Sequence, residues 1–318
     1  MKKNKLEIAL VLIIIFYIIS KLPTLNIVHN EGDENIYKAL AVHFYDTGNY
    51  TLQGTAILPL LSQYIYNRPL FHYPPFFISG IIVFHILDLI NYSVMLSWLG
   101  HILFLVAVFL FLKKKYYKNE EDFFIVILPC FFAATDPILN FIANKIWIDN
   151  LATGLASLGF ILLWLALDKK SHLAIFFSAL VCAMAILTKL PSMIFAPLAL
   201  LLFSYYAFKN KSEAKTYLYL FSTFSIVVGL ITIPWFLKFH AACGVFIPTW
   251  INPDPWLLNN NAFVRNVTYR PWYYFIKELS LLSPIVVPLF CINVFAAIKK
   301  RLSLESIGRE MGTVFVIL

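Results

Sequence analysis

The sequence predicts an all-α polytopic membrane protein with about eight spans and a truncated ninth, and three observations lead there. Hydrophobic residues make up 60% of the 318, whereas soluble domains sit near 45–50% apolar. Charged residues are only 13% of the chain. Apolar stretches of bilayer-crossing length alternate with short lysine-bearing segments, and the length suits eight or nine spans of roughly 20 residues plus loops. The net charge of +8 is carried by those short segments rather than by one basic face. That is the pattern which orients a membrane protein, and it argues against a nucleic-acid partner.

The elements follow in order. Residues 6–22, "LEIALVLIIIFYIISKL", form the first span after "MKKNK". No small-residue cleavage pattern follows, so this is an uncleaved anchor rather than a signal peptide. A long first outer loop occupies 23–92. Span two is 93–112, span three 123–142, span four 150–167, span five 173–188, span six 192–208 and span seven 216–234. A large outer loop covers 235–271, and span eight is 272–297. With residues 1–5 in the cytoplasm, the inner segments hold Lys2, Lys3, Lys5, Lys113, Lys114, Lys115, Lys118, Lys169, Lys170, Lys209, Lys211, Lys215, Lys299, Lys300, Arg301 and Arg309. These are 16 of the 25 basic residues, the bias expected of cytoplasmic loops.

One stretch tests that topology. "FFISGIIVFHILDLI" (76–90) is apolar, but a crossing there would put "KKKYYK" outside and reverse the charge rule. It is short and carries His85 and Asp88, so it reads as a helix lying along the outer surface. The chain ends on "MGTVFVIL", an apolar run too short to cross, and is therefore expected to lack a C-terminal part. No linker divides residues 1–318, which read as one domain. The cysteines are scattered, three in apolar runs and Cys243 in a loop, which gives neither a disulfide framework nor a zinc site.

On this topology, acids and bases from distant segments reach one membrane face. The first loop supplies Asp33, Glu34, Arg68 and His72, and the turn before span four supplies Asp149. The turn between spans five and six supplies Lys189, and the large loop Arg265 and Arg270. Such a set can deprotonate one reactant and neutralise a phosphate on another. Plainer roles stand beside these. Asp33 precedes "ENIYKALAVHFY", with apolar residues at 36, 40 and 44, and can serve as that helix's N-cap. Glu34 suits the first turn of the same helix. Asp149 can cap span four, Asp136 can cap a kink at Pro137 or face a cavity, and Lys189 can snorkel. An interfacial belt accounts for most tryptophans. No histidine spacing suits a divalent metal, and no cofactor is firmly implied. No GxxxxGK[ST] or GxGxxG occurs, so nothing cradles a nucleotide phosphate.

In order along the chain stand Asp33-Glu34 with Tyr37, "HYPPFF" with Pro74 and Pro75, and "ANKIWIDNLATGLASLGF" with Asp149. "AILTKLPSMIFAPLAL" with Lys189, Pro234-Trp235, and Arg265 ahead of "RPWYYFIKEL" follow. This series resembles the GT-C membrane glycosyltransferases, in particular the protein O-mannosyltransferase and lipid A aminoarabinose transferase superfamily. The likeness covers essentially the whole chain. It implies a GT-C-type bundle whose long first extracytoplasmic loop carries juxtamembrane helices. It also implies inverting transfer of a sugar from a polyprenyl-phosphate donor to a lipid, glycan or protein acceptor, at the extracytoplasmic face of the plasma membrane. Asp33 would be the general base, and Glu34 and Asp149 would support it or orient the acceptor. Arg265, Lys189 and Arg270 would hold the donor phosphate, and Tyr37, His72 and Trp235 would contact acceptor or sugar. Leu190 replaces the usual glycine, and "ATDP" stands where a small residue is usual before proline. Two other classes remain open: a transporter or lipid flippase, for which Asp136 and Asp88 speak, and an inactive truncated paralogue.

Overall fold

The computed structural model describes residues 5–27, 32–55, 69–71, 74–244 and 246. They belong to the first of two compact units, Met1–Asp254; the second is Pro255–Leu318. Among the described residues the chain is all-helical, without strands. The α-helices are α1 Lys5–Lys21, α2 Asp33–Thr47, α3 Phe76–Ile86, α4 Met95–Tyr116 and α5 Phe123–Thr135. They continue as α6 Pro137–Ala143, α7 Ile148–Lys169, α8 His172–Ile186, α9 Phe195–Lys209 and α10 Ala214–Cys243.

Among the described residues, five helical stretches are long and apolar enough to cross a membrane: Lys5–Leu25, Ile90–Tyr116, Ile148–Lys169, Leu190–Lys209 and Lys211–Cys243. They correspond to expected spans one, two, four, six and seven. The expected eighth, 272–297, lies outside the described residues. Within the segment 76–90, α3 covers only Phe76–Ile86, 11 residues, about 17 Å long at 1.5 Å per residue and too short to cross a hydrocarbon core of ~30 Å.

Three expected spans differ in detail, each for a local reason. Span three breaks into α5 and α6, which meet at 51°. Proline bars the residue before it from helical geometry, and Asp136 ahead of Pro137 is accordingly extended, at φ −56°, ψ 124°. Span five is a helix of only 15 residues, capped at its start by Ser171, whose hydroxyl accepts the Ala174 N–H at 3.3 Å. At about 22 Å it is shorter than the apolar core it was expected to cross. Span seven does not stop at Pro234-Trp235, because α10 runs on through Pro234 to Cys243. Trp235, Phe239 and Cys243 recur every fourth residue and are all buried, so packing outweighs the one hydrogen bond that proline removes. Cys243 is thus the buried end of a helix and not a loop residue.

Antiparallel spans gather their termini at two ends. One is lysine-rich. There Lys114 meets Asp168 at 2.9 Å, Lys170 meets Glu213 at 2.5 Å, and Lys113 pairs with Glu7. These contacts tie α4 to α7, the α7–α8 turn to the start of α10, and α4 to α1. The other end gathers α2, α3, the α6–α7 loop, the start of α7 and the end of α8. Its core packs Leu40, Phe71, Phe77, Ile81, Trp98, Ile146 and Phe239. A second core, with Leu163, Ala179, Phe203 and Leu220, lies among α7 to α10.

The backbones of α4 and α7 touch. A Cβ on Gly154 would lie 1.9 Å from the Gly100 carbonyl oxygen, and one on Gly100 would lie 2.3 Å from the Asn150 carbonyl. Only glycine permits this approach, which fixes the start of α7 and hence Asp149 against α4.

Candidate functional site

The opening of α2 splits the acidic pair. The N-cap of α2 is Gly32, at φ +46°, a left-handed conformation that favours glycine, and no side chain caps this helix. Asp33 is therefore the first helical residue, and the expected capping role is not the one it takes. Adjacent helical residues point about 100° apart, and the pair illustrates the consequence. Asp33 is exposed, whereas Glu34 is only 2% exposed.

The buried carboxylate has a definite task. Glu34 Oε1 accepts the Ile146 N–H at 3.0 Å, across to the loop between α6 and α7. The same loop is held from two other helices. Ser97 on α4 donates its hydroxyl toward the carbonyls of Lys145 and Trp147, at 2.7 and 2.8 Å, and accepts the Trp147 N–H at 3.2 Å. Lys21, at the end of α1, donates to Asn144 Oδ1 at 2.8 Å and to the Asn140 carbonyl at 3.2 Å. Three elements thus fasten the segment that delivers Asp149. Neither Ser97 nor Lys21 emerged from the sequence as a site residue. The available signals were a serine and a lysine at the rims of apolar runs, features common to many spans.

Asp149 stands in the first turn of α7, and Trp147 occupies the cap position without a side-chain bond. Its carboxylate pairs with Lys189 from the turn after α8, so neither of the plainer roles, cap for the one and snorkel for the other, describes them. Asp33 senses both. Burial of its surroundings and the negative charge of Asp149 hold its proton more tightly than an ordinary aspartate does, and Lys189 acts in the opposite direction. Residues 33, 149 and 189 therefore share one electrostatic neighbourhood although more than a hundred positions separate the first from the second.

Asp136 takes the plain role. Its Oδ1 accepts the N–H groups of Ile138 and Leu139, at 3.0 and 2.8 Å, capping α6 at the break. Tyr37 is buried edge-on against Phe77, with ring centroids 5.5 Å apart. Trp235 is buried beside Tyr50, at 5.5 Å, and Phe239. Each is packed into the core beneath this end. His72, Arg68, Arg265 and Arg270 lie outside the described residues. Among the described residues, no three His, Cys, Asp or Glu side chains stand together as a metal site would require. Among the described residues, Cys130 and Cys182 are free, and Cys130, Cys182 and Cys243 are all buried.

Comparison of the chain with family models, curated proteins and solved structures found no match.

Proposed function

We propose that this chain is a membrane glycosyltransferase of the GT-C kind, taking a sugar from a polyprenyl-phosphate donor. The observation that carries the reading is the Asp149–Lys189 pair at one end of the helical unit, in the electrostatic neighbourhood of an exposed Asp33 whose proton affinity is raised by burial and by Asp149. A base for a sugar hydroxyl works best with an affinity raised toward the working pH. The lysine-rich end is assigned to the cytoplasm by the positive-inside rule, which puts the carboxylate end outside.

In the proposed step, an acceptor hydroxyl attacks the anomeric carbon opposite the phosphate. The new C–O bond forms as the C–O bond to phosphate breaks, the configuration inverts, and the phosphate leaves with the electron pair. The acceptor proton goes to Asp33. Lys189, paired with Asp149 in the free protein, is offered as a cation for which the arriving phosphate competes. Glu34 is assigned to support rather than contact, because its carboxylate is committed to Ile146. Arg265 and Arg270 complete the phosphate site in this proposal and His72 contacts sugar or acceptor, while Tyr37 and Trp235, buried in the core, support the site from beneath.

The transport reading draws on Asp136 and Asp88, and the Asp136 carboxylate is occupied by two backbone N–H groups, which leaves that reading less support. The test is incubation of membranes containing the protein with labelled polyprenyl-phosphate sugars. Asp33→Asn should lower transfer by about 10²–10⁴-fold, the usual worth of a positioned base, while membrane insertion stays intact. Turnover near that of the unaltered protein would sink the assignment.

A further inference from the structure

We propose that Tyr17, Lys21 and His101 form a buried proton-binding site between α1 and α4 that holds one positive charge, on Lys21 Nζ or on His101 Nδ1. The inference does not rest on the glycosyltransferase reading, although Lys21 also fastens the segment that carries Asp149.

The placement begins in the sequence. Tyr17 and Lys21 are four residues apart and share a face of α1; Trp98 and His101 are three apart and share a face of α4. Both pairs lie within apolar helices long enough to cross a membrane. α1 exposes Ile8, Leu12, Phe16 and Ile19, yet buries Tyr17 (0% exposed) and Lys21 (4%). His101 is 2% exposed. An ionisable side chain placed inward on a span is costly to keep unless it serves a purpose.

The bonding defines the protonation chemistry. His101 Nε2 lies 2.9 Å from the Ala133 carbonyl oxygen, which can only accept, so this nitrogen carries hydrogen. In the neutral ring, Nδ1 then holds a lone pair, and it is buried with no partner among the described residues. The Tyr17 hydroxyl and Trp98 Nε1 are likewise buried without partners. Buried polar atoms without partners are uncommon in protein interiors, and each calls for an explanation. The Tyr17 ring contacts both bases: the imidazole meets it edge-on at 4.6 Å, and Lys21 Nζ lies 5.6 Å from its centre.

Lys21 Nζ donates to two neutral oxygens, of Asn140 and Asn144, and no carboxylate pairs with it among the described residues. Asp136, at the α5–α6 break, is the acid that acts on His101, and Lys21 is the cation that does so. Two positive charges packed around one tyrosine ring repel in a low-dielectric interior. The site therefore holds one. Moving it breaks an N–H bond at Lys21 Nζ, which keeps the lone pair as a neutral amine, and forms an N–H bond at His101 Nδ1.

The test uses the full chain with ¹⁵N-labelled histidine in phosphatidylcholine–phosphatidylglycerol nanodiscs, with the His101 signals identified by their loss in His101→Gln. At neutral pH the unaltered protein should show hydrogen on Nε2 and none on Nδ1. In Lys21→Met, Nδ1 should take up a proton at a concentration at least about tenfold lower than in the unaltered protein, a shift of one pH unit. Hydrogen on Nδ1 at neutral pH, or the same titration in both proteins, overturns the proposal. Asp136→Asn keeps a competent cap and guards against a misfolded lysine variant. It should move the uptake the other way, and a titration identical to the unaltered protein also overturns the proposal.

Discussion

The two ends of the helical unit are both charged, yet they use charge differently. At the lysine-rich end the pairs are exposed. The side chains of Lys170 and Glu213 keep 39% and 42% of their surface, and those of Lys5 and Glu120 keep about 60%. Water competes for such pairs, and they contribute little. At the opposite end a glutamate is buried against a backbone N–H, and a lysine is buried on amide oxygens. An exposed aspartate there feels the charges of a second acid and a cation. A membrane protein can orient itself with charges that water screens. Chemistry requires charges that the fold holds in place, and this end has them.

Removing Glu34 should break the contrast most severely. Glu34→Ala leaves the buried Ile146 N–H without an acceptor, a loss of about 1–3 kcal/mol. It also frees the loop that carries Asp149. Thermal unfolding of the protein in detergent should show the loss, and transfer from the labelled donor should fall with it. Glu34→Gln retains an oxygen for the same N–H and should recover most of both. A glutamine variant as impaired as the alanine one would mean that the charge, not the hydrogen bond, is what matters at Glu34.

The neighbouring carboxylate responds to charge. In Lys189→Met, Asp33 loses an attractive cation and faces an Asp149 that is no longer paired. Its proton should bind more tightly, moving the acid limb of the pH–activity profile upward. Asp149→Asn should move the limb downward. The infrared band of the Asp33 carboxyl, identified by its loss in Asp33→Asn, gives the same comparison without any turnover. If both variants shift the limb in one direction, the three residues do not form a single electrostatic unit. The effect on stability has a definite sign as well. A carboxyl whose affinity for protons is raised by folding makes the native state the better proton binder. Its contribution to stability therefore falls as pH rises from the ordinary aspartate value, about 3.9, toward the raised one.

Much of this arrangement was legible in the residues. Hydrophobic run lengths gave the positions of five helices long and apolar enough to cross a membrane, and the expected alternation of the spans brought Asp33, Asp149 and Lys189 to one end of the helical unit. What local pattern could not convey was the use made of each acid. Asp33, Asp149 and Asp136 all precede or open helices, and all three fit a capping rule. Only Asp136 caps, because Pro137 holds it extended with its carboxylate over the next two N–H groups. Gly32 takes the cap position of α2, and Lys189 draws Asp149 aside. The continuation of α10 past Pro234 depends on the burial of Trp235 and Phe239 against other elements. Tertiary packing settles such points, and a linear pattern does not encode it. The inward face of Lys21 is a similar case, since a lysine closing a span ordinarily reaches for water.

The smallest effect belongs to the lysine-rich end, where its absence is informative. Lys170, in the turn after α7, pairs with Glu213, and that hydrogen bond raises its affinity for a proton. A cation whose proton is held more tightly in the folded state adds stability that is fully present below the unfolded lysine value, near 10.4. That contribution disappears only as pH climbs through the raised value. Lys170 therefore keeps its charge across the range in which Asp33 titrates. Lys170→Ala should leave the unfolding midpoint within measurement error at physiological salt, because an exposed pair is screened. It should also leave the Asp33 acid limb where it was. A displaced limb would show that charge at one end is felt at the other, and the two ends would then have to be treated as one electrostatic system.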